Sequence, residues 1–135
     1  IAGDEALLRL SFIHAAELKE PCRQRSPGEL AKLAPNMRAA QVCGRERAAM
    51  LVELDIDGAT VLRRELPPSG LRRDGAAALY HRLPIPAGRH RIAVRLRDRA
   101  EGGFNHSHEQ TVALAPGRSL LIDFAAAQGG FVFRL

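Results

Sequence analysis

The chain has 135 residues, 46% apolar and 26% charged, with 20 basic residues against 15 acidic ones and a net charge of +5. That is the length of one ordinary domain, and the balance is too apolar for a disordered chain. No run approaches the roughly 18 continuous apolar residues of a membrane-spanning helix; with aromatics at 4% and no Trp, the core must be aliphatic with a few Phe.

Residues 6–14 alternate, with Leu8, Leu10 and Phe12 on one face and Arg9 and Ser11 on the other, which predicts a strand. Residues 26–33 predict a short helix: Ser26 is placed to cap it, Pro27 suits its first position, and Glu29 closes a capping box. Residues 49–57 alternate most clearly, Met50, Val52, Leu54 and Ile56 opposite Glu53, Asp55 and Asp57. Asp57-Gly58 is a two-residue hairpin signal that returns the chain as a strand over 59–66. Further strands are expected over 77–83, 90–98, 108–114 and 119–124, with a short last one in Phe131–Leu135. Gly and Pro punctuate these segments throughout, as at Pro67-Pro68, Pro116-Gly117 and Gly129-Gly130.

Seven to eight short strands with one short helix predict a mainly β fold, a single antiparallel β-sandwich over residues 1–135, with a small barrel as the alternative. The segments LPIPAGRHRIAVRLRD and TVALAPGRSLLIDF, over about 83–124, resemble the Gly-turn-to-strand pattern of PEGA-type and transthyretin-like accessory domains. The resemblance implies a small Ig-like extracytoplasmic sandwich used for binding or spacing rather than catalysis, and it carries over no functional residues.

Cys22 and Cys43 form neither a CxxC nor a haem-attachment motif, and they lack the histidine pair that would make a zinc site. One Cys22–Cys43 disulfide is therefore expected, closing residues 22–43 into a helical loop and stabilising by about 3 kcal/mol in the chain-entropy account. Two buried free thiols are the alternative. A disulfide implies an oxidising compartment. A chain starting at Ile1 is expected to be processed or trimmed, as secretory and anchoring segments commonly are. The expectation is a periplasmic or extracellular domain, compatible with tethering by an N-terminal segment outside this chain.

His106 and His108 flank Ser107; extended, their imidazoles project from one face, a spacing that chelates Cu(II), Ni(II) or Zn(II) given a third ligand such as Glu109, His81 or His90. Gly102, Gly103 and Asn105 suggest a loop there, in which case the histidines are merely solvated. Arg91, Arg95 and Arg97 share one parity of a strand, a basic stripe suited to phosphate or an acidic surface. The competing reading pairs those arginines with Glu53, Asp55 or Asp57 across neighbouring strands. Residues 35–47, long and rich in Arg, are a functional loop or a cover over one end of the sandwich.

No nucleophile elbow, phosphate-binding loop, zinc-protease motif or dinucleotide fingerprint is present, so no catalytic residue, enzyme activity or cofactor is expected. No nucleic-acid-binding signature accompanies the positive charge. The expected function is a non-enzymatic binding or scaffolding domain with a protein or membrane-associated partner, an anionic surface among the options. A metal-binding or metal-delivery protein using loop histidines is the alternative.

Overall fold

The structure, a computed structural model, describes residues 3–19, 23–24, 26–32, 34, 41–42 and 44–135. Two four-stranded sheets face one another, and the mainly β sandwich expected from the sequence is present. The first sheet runs in the order β10 (Gly130–Arg134), β9 (Ser119–Ala125), β1 (Glu5–His14) and β6 (Ala77–Pro86). The second runs β5 (Ala59–Leu66), β4 (Met50–Ile56), β7 (Gly88–Arg97) and β8 (His106–Leu114). A ribbon of β2 (Arg23–Gln24) and β3 (Gln41–Val42) stands apart, with Arg23 opposite Val42 and Gln24 opposite Gln41.

One expectation is corrected: the sandwich is not wholly antiparallel. β1 and β9 run parallel, Leu8 beside Leu120 and Leu10 beside Ile122, while β6 flanks the other edge of β1 in antiparallel register. Alternation reports which face a side chain takes, and both pair types satisfy it equally, so strand direction was invisible to the pattern.

The inner faces carry the predicted residues. Leu8, Leu10, Met50, Val52, Leu54, Ile92, Val94, Leu96, Leu120 and Ile122 are fully enclosed, and Phe12, Phe124 and Phe131 pack edge-on at the margin. β6 runs beyond the expected 77–83 through Pro84 and Pro86. It is an edge strand bonded only to β1, so the missing proline N–H groups leave no ladder broken. The Asp57-Gly58 turn joins β4 to β5, with both residues at positive φ (52° and 86°), as a tight hairpin of this kind requires. α1 (Pro27–Ala31) carries the expected capping box: Glu29 N–H donates to Ser26 Oγ, and the Ser26 N–H to the Glu29 carboxylate.

β1, β5, β7 and β9 end, and β4, β6 and β8 begin, at one end of the sandwich. Backbone hydrogen bonds knit the connections there: Glu17 N–H to Asp98 O at 2.7 Å, Ala48 N–H to Glu17 O at 2.9 Å, Lys19 N–H to Glu46 O and Arg47 N–H to Arg73 O at 2.8 Å. No helix among the described residues is long and apolar enough to cross a membrane.

Candidate functional site

The expected loop around His106 and His108 is corrected: both residues lie on β8, which begins at His106. Their side chains share the inner parity with Val112 and Leu114 and take different partners. His108 Nε2 lies 3.0 Å from Gln110 Oε1, its ring edge-on to Phe133. His106 Nε2 instead lies 3.1 Å from Asp98 Oδ2.

Asp98 is the centre of a cluster that sequence reasoning missed. It follows β7 with inner parity, and only 5% of it is exposed. His14, the last residue of β1, places Nε2 2.7 Å from the same Oδ2 that His106 approaches. The other oxygen, Oδ1, accepts from Asn105 Nδ2 at 2.6 Å, while the Asp98 N–H donates to Asn105 Oδ1 at 3.2 Å. Phe124 covers the group, 4.5 Å from the His14 ring centroid and 4.9 Å from that of His106. An ionised carboxylate can only accept, so both imidazoles present Nε2–H to it. Burial pushes the Asp98 carboxyl up, but the Asn105 and His14 hydrogen bonds and the charge of His106 outweigh it and hold the group below the ordinary carboxylate value. His14 belongs to the first sheet, whereas Asp98 and His106 adjoin the second, so the cluster clasps the two sheets together at the end just described. Among the described residues, no group of three or more His, Cys, Asp or Glu side chains is arranged to hold a metal ion. The parity of His14 with Phe12, and of Asp98 with Leu96, was the available signal; their meeting across sheets was not.

The outer face of the second sheet separates the three stripe arginines. Arg95 reaches Asp55 with two bonds of 3.0 and 3.1 Å and Glu53 at 3.5 Å, and its guanidinium lies 5.6 Å from the Phe104 ring centroid. Arg63 binds the other oxygen of Glu53 at 2.9 Å, so this outward carboxylate, only 8% exposed, is held between two guanidinium groups. Arg91 meets Glu109 at 3.2 Å. Asp57 pairs with none of the stripe guanidinium groups: its carboxylate accepts the Arg91 backbone N–H at 2.9 Å and faces His90 Nδ1 at 2.6 Å, while His90 Nε2 faces Pro86 O at 2.6 Å. With an acceptor at each ring nitrogen, His90 is built to be an imidazolium; the Asp57 bond first, then the Pro86 carbonyl, holds its pKa above the ordinary value.

Arg97 differs from its neighbours. Its Nε is buried without a hydrogen-bond partner, and among the described residues its guanidinium has no ion pair. It lines a hollow of about 320 Å³ at the clasped end of the sandwich, together with Lys19, Arg47 and Arg73 and, among the described residues, two acids, Glu46 and Glu65. Lys19 and Glu46 lie 3.8 Å apart and largely cancel. Arg47 spends Nε on Asp74 O and Nη1 on Ala16 O, both at 2.8 Å, bonds that fix its guanidinium without neutralising it. The remaining excess comes from Arg47, Arg73 and Arg97 against Glu65. Arg47 was marked only as the last residue of the Arg-rich segment 35–47, and Arg73 was not singled out from the sequence, because nothing local distinguishes it from the other arginines.

Cys22 and Cys43 lie outside the described residues, as do 35–40 of the Arg-rich segment. No protein-family model, curated protein sequence or solved structure matches the chain.

Proposed function

We propose that the chain is a non-enzymatic binding module of an exported protein, engaging an acidic partner at the hollow beside Arg97. The observation that carries this reading is the contrast in charge cancellation. Arg63, Arg91 and Arg95 are matched by Glu53, Asp55 and Glu109, whereas among the described residues the cations of the hollow outnumber its acids four to two. A rigid sandwich presenting an unneutralised concavity from its connecting segments is the common arrangement of a binding domain. The likeness of residues 83–124 to extracytoplasmic accessory domains agrees with it.

The export part of the proposal rests on a Cys22–Cys43 disulfide. Arg23 and Val42, the neighbours of the two cysteines in sequence, pair directly in the β2–β3 ladder. Non-reducing mass spectrometry of protein from its native source is expected to show the chain two hydrogens lighter than after reduction; two freely alkylated thiols would remove the bridge and the argument for an oxidising compartment.

Binding itself is tested on immobilised heparin, a generic polyanion. Retention should fall steeply with salt, since exposed charges are screened within about 10 Å at 0.1 M. It should also fall in an Arg73→Gln/Arg97→Gln variant more than in Arg91→Gln. Equal retention of all three proteins would sink the assignment to the hollow.

A further inference from the structure

We infer that the hollow is a site for a phosphate-bearing group, a phosphomonoester whose dianion lies between Arg73 and Arg97 and against Arg47. The inference rests on the binding-module reading and names its ligand class. Three features of the site point to it. The first is Arg97 on its wall: the Nε–H is buried without a partner, and among the described residues the guanidinium has no ion pair, so its charge is left for an anion in the hollow. Two other arginines, Arg9 and Arg99, also bury an unpartnered Nε, but neither lines the hollow.

The second feature is the form and amount of charge. Guanidinium groups are planar forks suited to oxyanions, and among the described residues their excess over the acids is two, the charge a phosphomonoester approaches near pH 7. Arg47 is fixed by its two carbonyl contacts, so one of the three cations is already oriented before a ligand arrives. The third is shape. About 320 Å³ is more room than an oxyanion alone requires, and Ala49 and Pro67 on the lining offer apolar contact to whatever carries the phosphate. The same chemistry is available from a soluble phosphomonoester or from a phospholipid headgroup.

The test uses the whole chain with glycerol 3-phosphate and dimethyl phosphate in calorimetry, and vesicles of equal parts phosphatidylcholine and phosphatidic acid in co-sedimentation. Saturable binding of glycerol 3-phosphate, at least about tenfold tighter than of the singly charged dimethyl phosphate, supports a soluble ligand. Binding to the vesicles alone supports a headgroup. In either case Arg73→Gln and Arg97→Gln should each weaken binding about tenfold, the loss of one charge-assisted contact. Arg91→Gln, on the neutralised stripe, should leave it unchanged. Neither substituted side chain of the hollow bonds to the described protein, so melting midpoints should stay in place and separate lost binding from lost folding. No saturable binding to any probe at millimolar concentration, or an equal loss in Arg91→Gln, overturns the inference. If heparin retention still depends on Arg73 and Arg97 while no phosphate probe binds, the ligand class is wrong and the binding module stands; if retention is also indifferent to them, both fail.

Discussion

His90 and Asp98 show how much a single inward polar side chain depends on its partners. His90 is held as a cation by Asp57 and the Pro86 carbonyl, and its folded pKa lies above the usual value near 6.5. Its stabilising contribution is therefore complete below about pH 6.5 and is lost as pH rises through the folded value. Asp57 is depressed, by the His90 bond first and then the Arg91 N–H, so its share is present above about pH 3.9 and is lost as pH falls through its own folded value. NMR titration of the His90 ring should give a midpoint above 6.5, and His90→Gln should flatten the alkaline decline of the melting temperature; a midpoint at or below 6.5 would contradict the imidazolium. Asp98→Asn is expected to cost about 2–3 kcal/mol at neutral pH, because it removes the charged acceptor from two imidazoles inside the sandwich. Since the Asp98 carboxyl is also depressed, the gap between wild type and variant in urea midpoints should narrow as pH falls through that group's folded value.

The β4–β5 hairpin is the element whose local chemistry is best defined. Gly58 sits at φ 86°, where an added Cβ is strained, and that Cβ would stand 3.4 Å from Arg91 Nη2. Gly58→Ala should destabilise by about 1–2 kcal/mol, read as a shifted midpoint with an unchanged denaturant slope. Beside the turn, the ladder bulges between Leu54 and Asp55, and Thr60 Oγ1 donates to Asp55 Oδ1 at 2.8 Å. Asp55 thereby faces both Thr60 and Arg95. On the same sheet face, Arg63 and Arg95 hold Glu53 from either side, so truncating both would leave a nearly buried carboxylate unmatched. A double-mutant cycle between Arg63→Gln and Arg95→Gln should show coupling of about 0.5 kcal/mol or more, because the two share one partner.

Across the whole molecule, stability and binding are carried by different regions. The aliphatic layers between the sheets are closed, with Leu54, Val94 and Leu10 at 0% exposure. Leu54→Ala should cost about 2–5 kcal/mol by urea denaturation, the penalty of lost transfer energy and an unfilled cavity. Arg73, exposed and with no side-chain bond among the described residues, should tolerate Gln within about 0.5 kcal/mol. The net charge of +5 is accordingly not a uniform field: acids cross-link arginines of the second sheet's face, while the described residues around the hollow carry an excess of two cations at the end where His14, Asp98 and His106 join the sheets. Asp98 serves both regions, since its carboxylate closes the clasp while its carbonyl binds the Glu17 N–H in the segment that leads to Lys19.

Local chemistry was legible in the sequence because it is written within a few residues. Period-two alternation placed Leu8 and Leu10, Val52 and Leu54, Ile92 and Val94 inside; Asp57-Gly58 specified the hairpin; Ser26, Pro27 and Glu29 specified the start of α1. Alternation also set Arg91, Arg95 and Arg97 outward, without saying which acids would meet them. Only the tertiary structure decided that β1 lies parallel to β9, and that His14 reaches Asp98 across 84 residues of chain. It alone decided that Glu53 and Asp55 take Arg95 while Arg97 stands with Arg47 and Arg73 around a hollow. A side chain's face follows from its own strand's pleat, whereas its partner depends on which strand comes to lie beside it, and that order is set by packing the whole apolar face rather than by any local pattern.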